Sequence, residues 1–159
     1  MPFPQKKIYS LEEAREKIRR YCAYQERSQY QVEQKLKSYG LIPMVAEELL
    51  VELIQDNFLN EQRFADAFVR GKFNQKGWGK RKIEAALRQH RVSAPCMDKA
   101  MMQLKPETYS EKLQILAQKK WDSLDGVERR QRMQKVMVYL QGRGYFYDEI
   151  KSVLNTIAS

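Results

Sequence analysis

The chain has little of the chemistry on which catalysis and metal binding depend. Its 159 residues include one histidine and two cysteines. Cys22 and Cys96 lie in unrelated contexts with no C-x-x-C spacing, so neither a metal-binding knuckle nor a disulfide scaffold is indicated. A catalytic triad would have to be assembled around His90, which lies at the end of a helical pattern where the helix dipole favours a cation, so we expect a structural histidine. No glycine-rich phosphate loop is present either, and the sequence therefore predicts a protein that is not an enzyme and carries no cofactor.

Long apolar runs are also lacking. No stretch approaches the roughly 18 apolar residues needed to span a bilayer, and no apolar signal core follows the first seven residues. The mean hydropathy of -0.70 agrees with a well-solvated surface. We therefore expect no membrane association, and a cytoplasmic protein whose cysteines are reduced.

Glycine and proline are scarce, at seven and five residues, and most of them lie at or between the ends of helical patterns. The segments 10–13 and 28–31, each opening with serine, have the capping-box spacing at which a helix begins. Gly40 is placed to end a helix in a left-handed cap, and Pro43 falls in the first turn of the next helix. Apolar residues recur between these points at three- and four-residue spacing, which predicts an all-α protein.

The first three predicted helices recur twice along the chain. A shift of about fifty residues places Leu87 on Leu36, and a second shift of similar size brings Leu140 to the same position. Since three helices alone enclose a small core, neighbouring units must stack. The sequence therefore predicts three tandem three-helix repeats in an elongated, curved array, with an N-terminal extension at 1–10 and units at 11–57, 58–106 and 107–159. The predicted helices are 11–27, 28–39, 43–56, 60–75, 79–90, 94–103, 107–122, 127–142 and 146–157.

Positive charge is in excess, with a formal net charge of +9. Such an excess commonly indicates an anionic partner, nucleic acid first and an acidic protein or membrane surface next. The segment from Arg70 to Arg91 concentrates it, with eight basic residues against a single acid, Glu84. Within it Trp78 stands between two glycines, placed to stack on a base or to anchor in a protein groove. The alternative is that Trp78 folds back on its own unit and the cations form a solvated face. A second basic run begins at Arg129.

Four segments of the chain carry a resemblance to a known family. They are Asn57-Phe-Leu-Asn-Glu-Gln-Arg-Phe-Ala65, Ala67-Phe-Val-Arg70, Lys76-Gly-Trp-Gly79 and Lys82-Ile-Glu-Ala-Ala-Leu87. Together they resemble the central signature of the RecX regulatory proteins, and the likeness extends from about residue 11 to residue 157. The resemblance implies a bacterial cytosolic protein of tandem three-helix repeats that lies in the groove of the RecA filament on single-stranded DNA. It also implies that the protein modulates, and generally inhibits, RecA, that it binds DNA, and that Arg63, Arg70, Gly77 and Gly79 contact the filament.

One departure from the family concerns the turn that follows the middle helix of the second unit. Family members usually carry glycine there, whereas this chain carries Arg91. A left-handed arginine costs on the order of 1 kcal/mol, so we expect that turn to be built differently.

The resemblance implies a regulator that binds the RecA–single-stranded DNA filament and changes its ATPase, recombinase and coprotease activities, and we expect a monomer that acts by binding alone. Single- or double-stranded DNA is a further expected partner. The alternative, a helical protein that binds DNA directly, such as a transcription regulator, stays open at this point. The residues expected to contact the partner are Arg63, Arg70, Lys72, Lys76, Trp78, Lys80, Arg81, Lys82, Arg88, Arg129, Arg130 and Arg132.

Overall fold

The computed structural model describes residues 8–159, and within that range the chain forms nine α-helices and no β-strand. They group in chain order into unit 1 (α1–α3), unit 2 (α4–α6) and unit 3 (α7–α9), so the predicted all-α fold of three-helix repeats is confirmed. Residues 1–7 of the predicted N-terminal extension lie outside the described residues. The helices are α1 (Leu11–Tyr24), α2 (Gln29–Ser38), α3 (Pro43–Gln55), α4 (Glu61–Asn74), α5 (Lys80–Gln89), α6 (Ala94–Met101), α7 (Pro106–Ser123), α8 (Arg129–Gly142) and α9 (Tyr147–Ile157).

The starts of the first helices follow from local side-chain chemistry. The Ser10 hydroxyl accepts a hydrogen bond from Glu13 N at 3.2 Å, while the Glu13 carboxylate accepts one from Ser10 N. Ser28 and Gln31 make the same reciprocal pair at 3.1 and 2.9 Å, so both predicted capping boxes are present. Helix α3 begins at Pro43, also as predicted.

The middle helix of each unit is followed by a residue with left-handed backbone angles, namely Gly40 (φ 76°), Arg91 (φ 58°) and Gly144 (φ 100°). After α5, Arg91 N donates to Arg88 O at 2.9 Å and Val92 N donates to Leu87 O at 3.1 Å, which is the Schellman pattern of a helix end. The expectation that this turn avoids a left-handed arginine is therefore wrong. The conformational cost is offset in part because the guanidinium carbon of Arg91 lies 4.3 Å from the ring centroid of Tyr30 in unit 1.

Among residues 8–159, the buried side chains form two clusters rather than three. Unit 1 has its own core, which includes Ile18, Leu36 and Leu53. Units 2 and 3 share a single core, in which Phe73 of α4 stacks on Tyr109 of α7 with ring centroids 5.9 Å apart. The array therefore consists of one small body, unit 1, joined to one larger body, units 2 and 3.

The molecule is elongated. Its accessible surface is 10499 Å², whereas a compact monomer of its mass exposes about 8,300 Å². The additional surface follows from placing the units in a row, and it leaves clefts at both junctions between units.

Candidate nucleic-acid interface

Positive charge is distributed unevenly among the units. Residues 11–57 carry seven lysines and arginines against nine carboxylates, so unit 1 is slightly acidic. Residues 58–106 carry eleven lysines and arginines against four carboxylates, and residues 107–159 carry nine basic residues against seven carboxylates. An anionic partner is therefore attracted to units 2 and 3 and weakly repelled by unit 1.

The glycine–tryptophan–glycine loop lies where unit 2 meets unit 3, in a contact between residues 76–82 and 141–145 that we call the unit 2–3 seam. Gly79 N donates to Arg143 O at 2.7 Å, and Arg81 N donates to Gly144 O at 3.0 Å. A Cβ on Gly79 would lie 2.5 Å from Gly144 O, so only glycine permits this approach of two backbones. The loop thus joins two units, a role that its sequence does not reveal.

Two buried tyrosines complete the unit 2–3 seam. The Tyr145 hydroxyl donates to Gly77 O at 3.2 Å, and the Tyr109 hydroxyl accepts from Lys80 N at 3.0 Å. Burial raises the pKa of both hydroxyls, so they remain neutral hydrogen-bonding groups. The Lys80 ammonium lies 4.6 Å from the Tyr109 ring centroid, which places this predicted contact residue against the seam.

Two further predicted contact residues, Arg81 and Lys82, bind the end of α8. The Arg81 guanidinium donates to Gln141 O, and Lys82 Nζ donates to Gly142 O at 3.3 Å. These carbonyls belong to the last turn of α8, where they have no partner within the helix and where its dipole favours a cation. The positive charge of both side chains therefore stabilises the fold.

Trp78 is half-buried, with its side chain packed against the shared core of units 2 and 3. The ammonium groups of Lys72 and Lys82 lie 4.8 and 4.6 Å from its ring centroid. These are cation–π distances, so a nucleobase would have to displace a lysine in order to stack on the indole. This placement favours the alternative in which Trp78 folds back on the protein.

Arg63 joins unit 2 to unit 1. Its guanidinium donates to the Glu26 carboxylate at 2.5 Å and to Asn57 O at 3.0 Å. With its donors committed to these acceptors, Arg63 is better placed to hold the two units together than to meet a partner.

His90 lies at the same junction. Its Nδ1 is 3.0 Å from the Ser28 hydroxyl of unit 1, and its ring packs against Phe64 with centroids 5.1 Å apart. Desolvation by burial, and then the nearby Lys72 ammonium, lowers the pKa of His90. The environment thus favours neutral imidazole as a contact between units.

The remaining predicted contact residues are more open to solvent. Arg132 is an exception, because it covers Trp121 with its guanidinium carbon 4.1 Å from the ring centroid. Arg88 forms a loose pair with Glu84 at 3.7 Å. The exposed members that form no ion pair within the described residues are Arg70, Lys76, Arg129 and Arg130.

A cleft of about 360 Å³ beside the unit 2–3 seam gathers more cations, and we call it the basic groove. Of these cations only Lys76 is among the predicted contact residues, so the sequence analysis missed the other four. Lys112 and Lys119 are seven residues apart and therefore share one face of α7. This spacing is visible in the sequence and could have indicated a basic face on that helix. Arg143 offered none, since only the fold brings the end of α8 to this place. The basic residues that line the groove are Lys76, Lys112, Lys119, Lys120 and Arg143.

Among residues 8–159, no group of histidine, cysteine and acidic side chains is arranged to hold a metal ion, and no helix is long and apolar enough to cross a bilayer. Cys22 is buried and Cys96 half-buried, and both are free thiols. Burial raises the pKa of Cys22 to about 11, so this thiol is protonated and unreactive at neutral pH.

Structural comparison finds the same fold in solved proteins. The crystal structure of RecX from Lactobacillus salivarius superposes with a TM-score of 0.82 over 93% of this chain and 96% of that chain, at 22% sequence identity. A second crystal structure, of a regulatory protein RecX, superposes with a TM-score of 0.79 over 93% of this chain and 71% of that chain, at 26% identity.

Sequence comparison defines the family. Residues 60–101 match the second three-helix domain of RecX, and residues 107–154 match its third three-helix domain. The regulatory protein RecX of Vibrio campbellii is 31% identical over 127 residues, which are 80% of this chain and 80% of that protein. The regulatory protein RecX of Streptococcus uberis is 26% identical over 133 residues, which are 84% of this chain but only 51% of that protein. On the strength of two matched domains and a relative aligned over most of both lengths, the chain belongs to the RecX family.

Proposed function

We propose that the chain is a regulator that binds the RecA filament on single-stranded DNA and lowers its ATPase and strand-exchange activities. The observation that carries the proposal is the separation of charge, with a strongly basic unit 2 and a basic groove at the unit 2–3 seam, in a chain of the RecX family. A filament with DNA at its centre presents the complementary negative charge.

The shape of the molecule supports binding to a repeating partner. Three units in a row present a long face, and units 2 and 3 share one core, so their basic side chains are held in fixed relative positions. Such preorganisation lowers the entropy lost when several contacts form together. An elongated body of this kind suits a groove that runs past successive filament subunits.

The regulation is proposed to occur by binding, without turnover. His90 is engaged between two units, and the buried Cys22 thiol has a raised pKa, so neither is poised as a nucleophile or base. Regulation would then follow from occupancy of the filament, and inhibition should saturate as filament sites fill.

The test is a titration of the protein into RecA hydrolysing ATP on single-stranded DNA. We expect the ATPase rate to fall at protein concentrations well below those that coat free DNA, and added competitor strand to reverse the effect only partly. An unchanged ATPase rate at saturating protein would overturn the proposal.

The same titration separates the rival function, a protein that binds DNA directly. In that case the ATPase rate falls only when the protein covers the strand, and competitor DNA restores it fully. A duplex-binding measurement over many sequences completes the comparison, because a transcription regulator discriminates among them by roughly 1–3 kcal/mol per base pair.

A further inference from the structure

The basic groove is bounded by three segments that meet beside the unit 2–3 seam. The loop after α4 contributes Lys76, α7 contributes Lys112, Lys119 and Lys120, and the residue after α8 is Arg143. No carboxylate is among the residues that line the groove. Five positive charges therefore converge on one cleft without an acidic counterpart.

Local contacts position these cations but do not neutralise them. Lys112 Nζ lies 3.4 Å from Asn74 O, a neutral carbonyl. Lys120 Nζ and the Arg143 guanidinium carbon lie 4.9 and 5.2 Å from the ring centroid of Tyr139. None of the five basic residues forms an ion pair within the described residues, so an anion that enters the cleft would relieve their mutual repulsion.

The walls of the groove are fixed by the fold. Arg143 donates to Lys76 O across the seam, and Gly77 has Leu116 packed against it, with a hypothetical Cβ only 3.2 Å from the Leu116 methyl. Both walls belong to the body that units 2 and 3 form around one core. A charged site whose geometry is set before binding loses little entropy when a ligand enters.

We propose that the basic groove holds phosphate groups of a nucleic-acid strand, and this assignment rests on the proposed function. Four of the five cations are lysines, which contact phosphates as flexible point charges and do not select a base sequence. An acidic peptide of comparable affinity would require an apolar anchor pocket, and the apolar contributions here are limited to the half-buried Leu116 and Tyr139.

A neighbouring cleft indicates the path of the strand. Gln75 and Lys76 line both the basic groove and a second cleft of about 420 Å³ that lies between units 1 and 2. Lys72 lines that second cleft, so positive charge continues along the end of α4 from one cleft to the next. A strand that enters the basic groove is thereby led across unit 2.

The experiment uses the full chain and a fluorescently labelled oligodeoxythymidylate as the probe, with anisotropy recorded over a range of salt concentrations. The groove variant is Lys112→Gln with Lys119→Gln. The matched control is Lys99→Gln with Lys105→Gln, which removes the same charge from exposed positions of unit 2 that do not line the groove. Thermal unfolding of each variant establishes that the fold is intact.

With about 0.7 counterions released per phosphate contact, loss of two contacts lowers the log–log salt slope by about 1.4 and weakens binding roughly 20-fold near 0.1 M salt. The control should retain the slope and bind within about twofold of the parent. Equal slopes for the two variants would overturn the assignment.

A parallel titration with labelled polyglutamate tests the alternative ligand, an acidic protein segment. If the groove variant loses polyglutamate binding but keeps oligonucleotide binding, the groove accepts an acidic protein segment instead, and the assignment is wrong. Failure of the groove leaves the ATPase titration unaffected, so the proposed function is judged separately.

Discussion

At the scale of single residues, Gly79 is where the fold tolerates least change. An alanine there would place Cβ 2.5 Å from Gly144 O and 2.6 Å from Gly144 C, which are backbone atoms that cannot rotate away. We expect Gly79→Ala to lower the free energy of unfolding by about 1–3 kcal/mol, because the two backbones at the seam must separate. Urea unfolding followed by circular dichroism measures the change.

The matched control is Gly71→Ala, inside α4, where an added Cβ meets nothing within 4 Å. Alanine is the better helix former by about 0.5–1 kcal/mol, so this variant should be more stable than the parent. If both glycine variants shift stability in the same direction, the close backbone contact at Gly79 is not what limits substitution.

Contacts between residues close in sequence could be predicted, whereas contacts between residues in different units could not. Capping boxes such as that of Ser28 involve partners three residues apart, so the local sequence pattern was sufficient to predict where those helices begin. Gly79 N donates a hydrogen bond to Arg143 O, more than sixty residues further along the chain. No local sequence pattern around Gly79 predicts that contact. The prediction for Arg91 was wrong because the contact that offsets the cost of its left-handed backbone is with Tyr30, which lies in another unit.

At the scale of elements, α8 is completed by its neighbour α5. Its last turn contains no basic residue of its own, and Arg81 and Lys82 of α5 donate to the carbonyls of Gln141 and Gly142. Side chains that seemed available to a partner therefore serve as the C-terminal cap of a helix in the next unit. The helices were predictable from periodicity. Which basic side chains cap the end of α8 was not, because those contacts depend on how the units pack.

We expect Arg81→Gln combined with Lys82→Gln to lower the free energy of unfolding by about 1 kcal/mol, because each cation near a helix C-terminus contributes roughly 0.3–1 kcal/mol. The Lys99→Gln and Lys105→Gln pair removes equal charge without touching α8. Lys99 lies in the last turn of α6, where a cation is favourable, and Lys105 is the N-cap of α7, where a cation is unfavourable, so the two effects should offset each other and the pair should unfold close to the parental urea concentration. Indistinguishable midpoints for the two double variants would show that the cap contributes nothing to stability.

At the scale of the whole molecule, the two junctions differ in kind. Units 2 and 3 are joined by a shared apolar core and by backbone hydrogen bonds. Unit 1 is joined to unit 2 through polar groups, chiefly the Arg63–Glu26 ion pair and the contact between His90 and Ser28. The repeat pattern predicted only that neighbouring units stack, whereas the difference between the two junctions depends on which side chains meet there.

The junction with unit 1 should respond to pH through His90. Its pKa is lowered in the folded protein by burial and by Lys72, so the unfolded chain takes up a proton first as pH falls. His90 therefore has no effect on stability well above its unfolded pKa of about 6.5, and it destabilises the fold increasingly below that value.

We expect the parent to lose more stability than His90→Gln between pH 7.5 and pH 5.5, since glutamine does not titrate. Urea unfolding of both proteins at the two pH values measures the difference, and carboxylates common to both largely cancel. A parent that loses no more stability than the variant would contradict the pKa shift.

The single core shared by units 2 and 3 also determines the order in which the chain can fold during its synthesis. Unit 1 is finished when its own residues leave the ribosome, and it buries its apolar side chains without waiting. The carbonyl of Gly77 must wait for the Tyr145 hydroxyl, which is 68 residues further along the chain, or about 3–14 s at ~5–20 residues per second. Until α9 has been synthesised the core that contains Phe73 is incomplete, and the apolar side chains it leaves exposed favour aggregation of the nascent protein.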